Sequence, residues 1–199
     1  MFARLIAFSG ADRRGKTTQS KLLVERLSSM GFHTAYVKVP CGDGFTKRLI
    51  YRMLFDGRAN RNPNMFQFLN FVNKLLFQLF VLPFMMMRYD AIILDRWTLC
   101  SIVYGSCGGA SVEFCKFLQL PLIRPDITFV LTGDGFERNG PSDEYEKDDA
   151  LQQRVARMYD EESRKHENVG IDAQLGRDAV HGMIMRRVLD LLIERKWMQ

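Results

Sequence analysis

The sequence predicts an α/β fold in which a parallel β-sheet is covered by helices on both faces. Short apolar runs typical of buried strands alternate with longer segments whose apolar residues recur at helical spacing. A glycine-rich loop follows the first apolar run directly and leads into the first helical segment. Because 199 residues are enough for one domain with a buried core, we expect a single domain over residues 1–199.

Five apolar runs predict the strands, and their apolar character indicates a sheet buried on both faces. In chain order the predicted strands are Arg4–Ser9, Thr34–Val39, Ala91–Asp95, Ile127–Leu131 and the less apolar Asn168–Asp172. Three long segments between and after them have helical periodicity. These predicted helices are Lys16–Met30, Met65–Leu82 and Ala179–Trp197.

Composition indicates a cytoplasmic protein. The most apolar stretch, Leu75–Met87, contains Pro83 and is only 13 residues long, whereas a bilayer demands about 20. We therefore expect a buried helix there and no membrane association. The apolar start is too short for a signal peptide. The four cysteines have neither a C-x-x-C pair nor zinc-site spacing, which favours reduced thiols.

The loop after the first predicted strand has the composition of a phosphate-binding loop. Residues Gly10–Thr17 read GADRRGKT and fit the pattern G-x-x-x-x-G-K-[ST]. Such glycines let backbone N–H groups face an anion at a helix N-terminus, Lys16 reaches the phosphates, and the Thr17 hydroxyl can bind Mg²⁺. The alternative is a plain glycine turn before a helix. The residues expected to bind ATP are Gly10, Ala11, Asp12, Arg13, Arg14, Gly15, Lys16, Thr17 and Thr18.

Charged residues in this loop and after the third predicted strand suggest phosphoryl transfer. We expect Arg13 to stabilise the charge on the transferring phosphoryl group. The alternative for each loop arginine is a solvated side chain, and we favour that alternative for Arg14. Asp95 ends a buried strand, where ligands bind in such sheets, and is expected to hold Mg²⁺ with Thr17. A helix N-cap is its other possible role. Arg96 is costly to bury without an anion, which points to a second phosphate site.

Five stretches of sequence, spread along nearly the whole chain and in the same order as in the family, resemble the thymidylate kinase family. They are FSGADRRGKTTQ, DRWTLCSIVYG, PDITFVL, DEYEKDDALQQRVARMYDEE and NVGIDAQ. The resemblance implies a three-layer α/β/α P-loop kinase fold with five parallel strands in the order 2-3-1-4-5, and a homodimer. The implied reaction transfers the γ-phosphoryl group of ATP, with Mg²⁺, to a deoxynucleoside monophosphate.

The same resemblance implies roles on the acceptor side. Asp12 would approach the 3′-hydroxyl of the acceptor sugar, and Arg96 would bind the acceptor phosphate. Tyr104 would pack beside the sugar. Asn73 and Lys74 fall where the family carries a phosphate-binding arginine; lysine keeps the charge but loses the bidentate fork. Lys16, Arg13, Asp95 and Asp12 are the implied catalytic residues. The full set expected at the acceptor is Asp12, Lys38, Phe66, Asn70, Phe71, Asn73, Lys74, Arg96, Ser101 and Tyr104.

Three departures from the family pattern concern the acceptor base. Asn70 stands where the family has a base-stacking phenylalanine, for which Phe66 or Phe71 could substitute. Gly105 replaces a base-reading glutamine, and the family's arginine-glutamate-proline turn after the second strand is reduced to VKVPCGDG, with Lys38, Pro40 and Gly42. The resemblance therefore leaves thymine selectivity open and allows a modified pyrimidine or a broader set of deoxynucleotides.

Residues Gly133–Lys147 are glycine-rich and charged, and we expect them to form a mobile lid. Arg138 either closes over the phosphates or is a solvated loop charge.

The net charge of +5 suits a nucleotide but also a basic face for nucleic acid. Two alternatives to the small-molecule kinase thus stay open: a kinase acting on a modified base within DNA, and a nucleotide-binding switch without a small-molecule acceptor.

Overall fold

The computed structural model describes residues 2–42, 44–136 and 148–197, with the backbone alone for 194–197. Its strands are β1 (Arg4–Gly10), β2 (Thr34–Lys38), β3 (Ala91–Asp95), β4 (Ile127–Thr132) and β5 (Val169–Asp172). The helices before β3 are α1 (Lys16–Ser29), α2 (Phe45–Phe55), α3 (Arg58–Arg61), α4 (Pro63–Phe80) and α5 (Leu82–Arg88). Those after it are α6 (Thr98–Cys107), α7 (Val112–Gln119), α8 (Asp149–Ser163) and α9 (Arg177–Trp197), with a 3₁₀ turn at Ala173–Leu175.

All described strand pairs are parallel, and the sheet order is β2-β3-β1-β4-β5. This confirms the predicted fold class and strand order. The register places Asp95 beside Phe8 of β1 and Lys38 of β2, while Gly10 lies beside Leu131 of β4. The carboxyl ends of the three central strands therefore meet at one edge, which is where ligands bind in open parallel sheets.

Buried apolar side chains cover both faces of the sheet. On one face, α1 and α9 pack on residues such as Ile6 and Phe129. On the other, the inner residues Leu5 and Ile92 pack against α4, α5 and Trp97. A further cluster joins α2, α4, α6 and α8 around Val103. Because both faces are covered, the strands are uniformly apolar, which is why the sequence pattern revealed them.

The helices before β3 differ from the prediction. The long helix begins at Pro63 and ends at Phe80, and a second helix begins at Leu82, bent by 47° from the first. Pro83 lacks an N–H and clashes with the carbonyl four residues earlier, so the helix cannot continue through it. The prediction omitted α2, α3 and α7, whose short lengths carry a weak periodic signal.

The apolar stretch around Pro83 is partly core. Phe77 and Leu82 are buried, whereas Phe80, Phe84 and Met87 are exposed. Within the part of the chain that the structure describes, no single helix is long and apolar enough to cross a membrane. Among the described helices, only the bent pair α4 and α5, taken together, reaches the required length and composition.

Candidate active site

The glycine-rich loop lies between β1 and α1, where glycines permit its backbone path. Gly10 has φ 141° and lies so close to β4 that a Cβ there would sit 2.5 Å from the Leu131 carbonyl oxygen. Gly15 has φ 76° and is the N-cap of α1. Side chains rarely tolerate either conformation, so both positions require glycine. The loop consequently ends at the N-terminus of a 14-residue helix, a favourable place for a phosphate.

Lys16 is buried at the centre of this loop. Its Nζ donates to the Ala11 carbonyl oxygen at 2.5 Å and lies 3.9 Å from Asp12 Oδ1. Burial, and then the charge of Arg96, lower the pKa of Lys16 to about 8. A nearby phosphate would favour the charged ammonium and raise this pKa again, so the site is suited to an anion.

Asp95 is buried beside the loop and shares its Oδ2 between two donors. Thr17 Oγ1 donates at 2.6 Å and the Tyr36 hydroxyl at 2.7 Å. Burial, and then the hydrogen bond to Asp95, raise the pKa of Tyr36, which keeps the phenol a donor. Asp95 Oδ1 is buried with no hydrogen-bond partner among the described residues. A free carboxylate oxygen beside a threonine hydroxyl is a donor set that fits Mg²⁺.

Asp95 does not cap a helix, so that alternative is wrong. The N-cap of α6 is Trp97, which makes no capping bond through its side chain. Within the described residues, no cluster of three or more His, Cys, Asp or Glu side chains could hold a metal without further ligands. Thr17 and Asp95 could therefore bind Mg²⁺ only together with phosphate or water oxygens, which is how Mg²⁺ is usually held in phosphoryl-transfer sites.

Asp12, Arg96 and Tyr104 form one buried network next to the loop. Arg96 Nη2 is ion-paired with Asp12 Oδ1, and the guanidinium lies 5.3 Å from the centre of the Tyr104 ring. The Tyr104 hydroxyl donates to Asp12 Oδ2 at 2.6 Å, with Gln152 Nε2 at 3.3 Å from the same oxygen. Burial alone would raise the pKa of Asp12, but Arg96, Lys16 and the hydrogen bonds hold it well below its usual range.

A cavity opens from this network between α2, α4 and α6. Seven of the ten residues expected at the acceptor line it: Asp12, Lys38, Phe66, Asn70, Arg96, Ser101 and Tyr104. Its remaining lining residues are Val39, Pro40, Ile50, Tyr51, Leu54, Gln67, Trp97 and Cys100. The lining thus combines positive charge and hydroxyl groups with apolar side chains and two carboxamides.

Three expected acceptor residues lie behind the cavity wall. Phe71 packs in the core cluster on the far side of α4. Asn73 binds the backbone of Cys41 through Oδ1 at 2.7 Å and Nδ2 at 3.1 Å, and therefore holds the turn after β2. Lys74 is fully buried and donates to Ser101 Oγ and Gln119 Oε1, both at 2.6 Å. Each of these side chains supports a lining element rather than facing the cavity.

Two loop arginines have different surroundings. Arg13 is exposed and has a left-handed φ of 63°, and its carbonyl accepts from Phe136 N–H at 2.8 Å. Arg14 is partly buried, and its Nη1 is buried without a hydrogen-bond partner among the described residues. The expectation of a fully solvated Arg14 is therefore wrong for part of its guanidinium. Thr18, the last residue of the expected ATP-binding set, is exposed on the first turn of α1.

The predicted lid is described only at its beginning, Gly133–Phe136, which rests on the phosphate loop. Gly135 lies against Asp12 and Arg13, with a position for Cβ 3.5 Å from Arg13 Cβ. Arg138 and the rest of the segment to residue 147 lie outside the described residues.

The sequence reasoning missed several residues of this site. Tyr36, Tyr51, Gln67 and Gln152 all contact or line it. The alternation of strand β2 gave a signal for Tyr36, because its neighbours Ala35 and Val37 point to the other face. The other three lie on helices far apart in the chain, so only packing brings them to the site.

Comparison with known proteins gives a consistent result. The family model for thymidylate kinase matches residues 8–184. A thymidylate kinase of Pelotomaculum thermopropionicum is 29% identical over 178 residues, covering 83% of this chain and 77% of the relative. One of Plasmodium falciparum is 24% identical over 205 aligned positions, covering 96% of this chain and 92% of the relative.

A solved structure supports the fold. The crystal structure of thymidylate kinase from Ehrlichia chaffeensis matches with a TM-score of 0.71 at 21% identity, covering 95% of this chain and 99% of the other. The family match runs from the phosphate loop into α9 and supports the kinase reading rather than either alternative. The chain belongs to the thymidylate kinase family and is an ATP-dependent nucleoside monophosphate kinase.

Proposed function

We propose that this kinase transfers the γ-phosphoryl group of ATP to dTMP or to a closely related, including modified, pyrimidine deoxynucleotide. The observation that carries this proposal is the position of Arg96. Its guanidinium is held by Asp12 at the boundary between the phosphate loop and the cavity, and both residues line the cavity. A phosphate monoester in the cavity would therefore meet a bidentate donor next to the loop that binds ATP.

The chain's own residues account for the chemistry of transfer. Lys16 would bind the phosphates of ATP, and Arg13 of the same loop would stabilise the charge that spreads over the transferring group. Thr17 and Asp95 would hold Mg²⁺, which neutralises phosphate charge when bound. Arg96 orients the acceptor phosphate, and Tyr104, fixed by its bond to Asp12, limits the space beside the sugar. Catalysis is then mostly positioning and charge stabilisation.

The residues that line the acceptor cavity are the reason why we propose more than one pyrimidine substrate. The cavity contains Asn70 where a stacking aromatic ring is expected, and Phe66 lies one helical turn away on the same wall. A carboxamide and a ring together can accommodate a polar substituent on a pyrimidine. Both dTMP and a hydroxymethylated pyrimidine deoxynucleotide are consequently proposed substrates.

An acceptor screen tests this function. ADP production is measured with ATP, Mg²⁺ and each common deoxynucleoside monophosphate, together with 5-hydroxymethylated dUMP and dCMP. We expect ADP formation that depends on a pyrimidine acceptor. Arg96→Lys should lower kcat/KM for the acceptor about 10- to 100-fold, since a charge-assisted bidentate contact is lost, and should leave the KM for ATP nearly unchanged.

The matched control is Arg88→Lys, which changes an exposed arginine at the end of α5. It should leave both kinetic constants unchanged. ADP formation that no deoxynucleoside monophosphate stimulates would contradict the proposed function, and an equal effect of the two lysine variants would remove the role of Arg96.

We also propose a cytoplasmic homodimer. All four cysteines are unpaired, as expected where thiols stay reduced. Exposed apolar side chains on α4 and α5, including Leu79, Phe80 and Phe84, offer a surface for a second copy. Light scattering at micromolar protein concentration should give the mass of two chains, and a monomer mass would contradict the dimer.

A further inference from the structure

Among the described residues, the oxygen of one polar side chain in the acceptor cavity has no hydrogen-bond partner. Gln67 of α4 lines the cavity, is 2% exposed, and carries a buried Oε1 without a hydrogen-bond partner among the described residues. Buried polar atoms in proteins are nearly always hydrogen-bonded. An unpaired carboxamide oxygen in the wall of a ligand cavity therefore points to a ligand group that completes its hydrogen bonding.

Gly105 of α6 makes the room for this side chain. A Cβ at position 105 would lie 2.9 Å from both Cγ and Cδ of Gln67 and 2.5 Å from Cys115 Sγ. These separations are shorter than van der Waals contact, so any larger residue at 105 would displace Gln67. The position of the amide thus depends on the absence of a side chain on the facing helix.

A series of contacts leads from Arg96, where the acceptor phosphate is proposed to bind, to this amide. Arg96 and Asp12 lie at the phosphate end, and Tyr104 follows through its hydrogen bond to Asp12. Gly105 is the next residue along α6, and Gln67 packs against it. A nucleotide with its phosphate on Arg96 and its sugar beside Tyr104 would therefore direct its base toward Gln67.

We propose that Gln67 reads the edge of the acceptor base and is a specificity-determining residue of this kinase. The inference rests on the proposed function. A carboxamide offers one acceptor and one donor side by side, and positions 3 and 4 of thymine or uracil offer the N3–H donor and the 4-carbonyl acceptor. The terminal torsion of glutamine is soft, so the amide plane can turn toward the base without movement of α4.

The test uses two acceptors that differ only at this edge. One is dTMP; the other is the 5-methylpyrimidin-2-one deoxynucleoside monophosphate, which lacks both the N3–H and the 4-carbonyl. A site that hydrogen-bonds these groups rejects the analogue, and we expect the wild-type kcat/KM to favour dTMP by at least about 100-fold. In Gln67→Met, which keeps the length but not the amide, the preference should fall below about tenfold, mainly through a higher KM for dTMP.

Gln78→Met is the matched control, because Gln78 lies on the same helix, bonds Pro121 and Ile123 among the residues that the structure describes, and is not one of the residues lining the cavity. It should keep the wild-type preference, and all variants should keep the KM for ATP. A second variant, Gly105→Ala, retains the amide but displaces it. It should lower kcat/KM for dTMP more than that for the analogue, which provides the test if Gln67→Met does not fold.

The outcomes separate the two proposals. If the wild-type enzyme phosphorylates no pyrimidine deoxynucleotide, the proposed function fails. If it phosphorylates dTMP but does not discriminate against the analogue, or if Gln67→Met discriminates as strongly as the wild type, the function stands and the role of Gln67 is overturned.

Discussion

Single residues set the electrostatics of the site. Asp12 is ion-paired with Arg96 and lies 3.9 Å from the ammonium of Lys16. This one carboxylate therefore lowers the cost of burying two positive charges. A phosphate on either side of the loop offers each cation a stronger partner, so the network is suited to receive two anionic substrates.

Substitution of Lys16 tests the assignment of the phosphate loop most directly. Lys16→Ala removes a buried charge without opening the apolar core, because the side chain lies in the phosphate loop and is not part of the described core clusters. We expect kcat to fall at least about 10²-fold, in line with the loss of one preorganised charge contact. Steady-state kinetics on a variant whose circular dichroism matches the wild type measures this; near-normal turnover would contradict the assignment of the phosphate loop.

The two arginines of the loop should differ in kind. Arg13→Ala should lower kcat more than it raises the KM for ATP, since its contact is expected mainly in the transition state. Arg14→Ala should lower kcat much less, although its partly buried guanidinium gives the substitution a packing cost. Parallel kinetics of the two variants check this. If the effects are reversed, Arg14 supplies the charge at the transferring group.

At the scale of elements, helix α4 divides its surface between site and core. Phe66, Gln67 and Asn70 line the cavity, while Phe77 is buried in the core beneath the sheet. Lys74 on the same helix bonds Ser101 of α6 from behind the wall. A single helix thus carries both part of the cavity lining and the support for the wall that α6 forms.

Substitution of Asn70 tests whether this helix determines which acceptor base the enzyme prefers. The Nδ2 atom of Asn70 donates to the Phe66 carbonyl oxygen at 2.9 Å, within the same helix, so replacement leaves no tertiary partner unpaired. Asn70→Phe should shift kcat/KM toward dTMP and away from a hydroxymethylated pyrimidine, since an aromatic contact adds about 1 kcal/mol or roughly fivefold. Competition between the two acceptors measures the ratio. Strict thymine selectivity in the unmodified enzyme would show that Phe66 already supplies the stacking face.

At the scale of the whole molecule, the buried Lys74 makes stability depend on pH. Burial lowers its pKa from 10.5 to about 7, with smaller opposing effects from Cys100, Cys41 and Cys115. Above pH 7 the folded protein therefore releases a proton that the unfolded chain retains. The free energy of unfolding therefore increases as pH rises from the folded pKa of about 7 to the unfolded pKa of 10.5. Below pH 7 the folded protein carries the full energetic cost of burying the charged ammonium.

Lys74→Met should remove this dependence. Between pH 7 and 9 the slope of the unfolding free energy against pH should decrease by up to about 1.4 kcal/mol per pH unit, the value for one proton. Urea unfolding at several pH values measures it, with Lys116→Met on the exposed face of α7 as the control. Parallel curves for wild type and Lys74→Met would show that the ammonium stays charged in the folded protein.

The sequence by itself determined the features that depend on contiguous residues. The apolar strands, the loop from Gly10 to Thr17 and the position of Asp95 at the end of β3 follow from local backbone preference and from the uniform burial of a sheet covered on both faces. The predicted strand ends are within one residue of the observed ends. These patterns are readable because each segment meets the same environment along its whole length.

Only the tertiary structure decided which side chains face the acceptor. Phe66 lines the cavity while Phe71 packs in the core, although both lie on α4. Gln67 stands against Gly105 across 38 positions of sequence, and neither residue has a local signal for that contact. The physical reason is that helix–helix contact depends on the direction and distance at which separate segments pack, and a glycine on one helix is what lets the side chain of the other occupy the space between them.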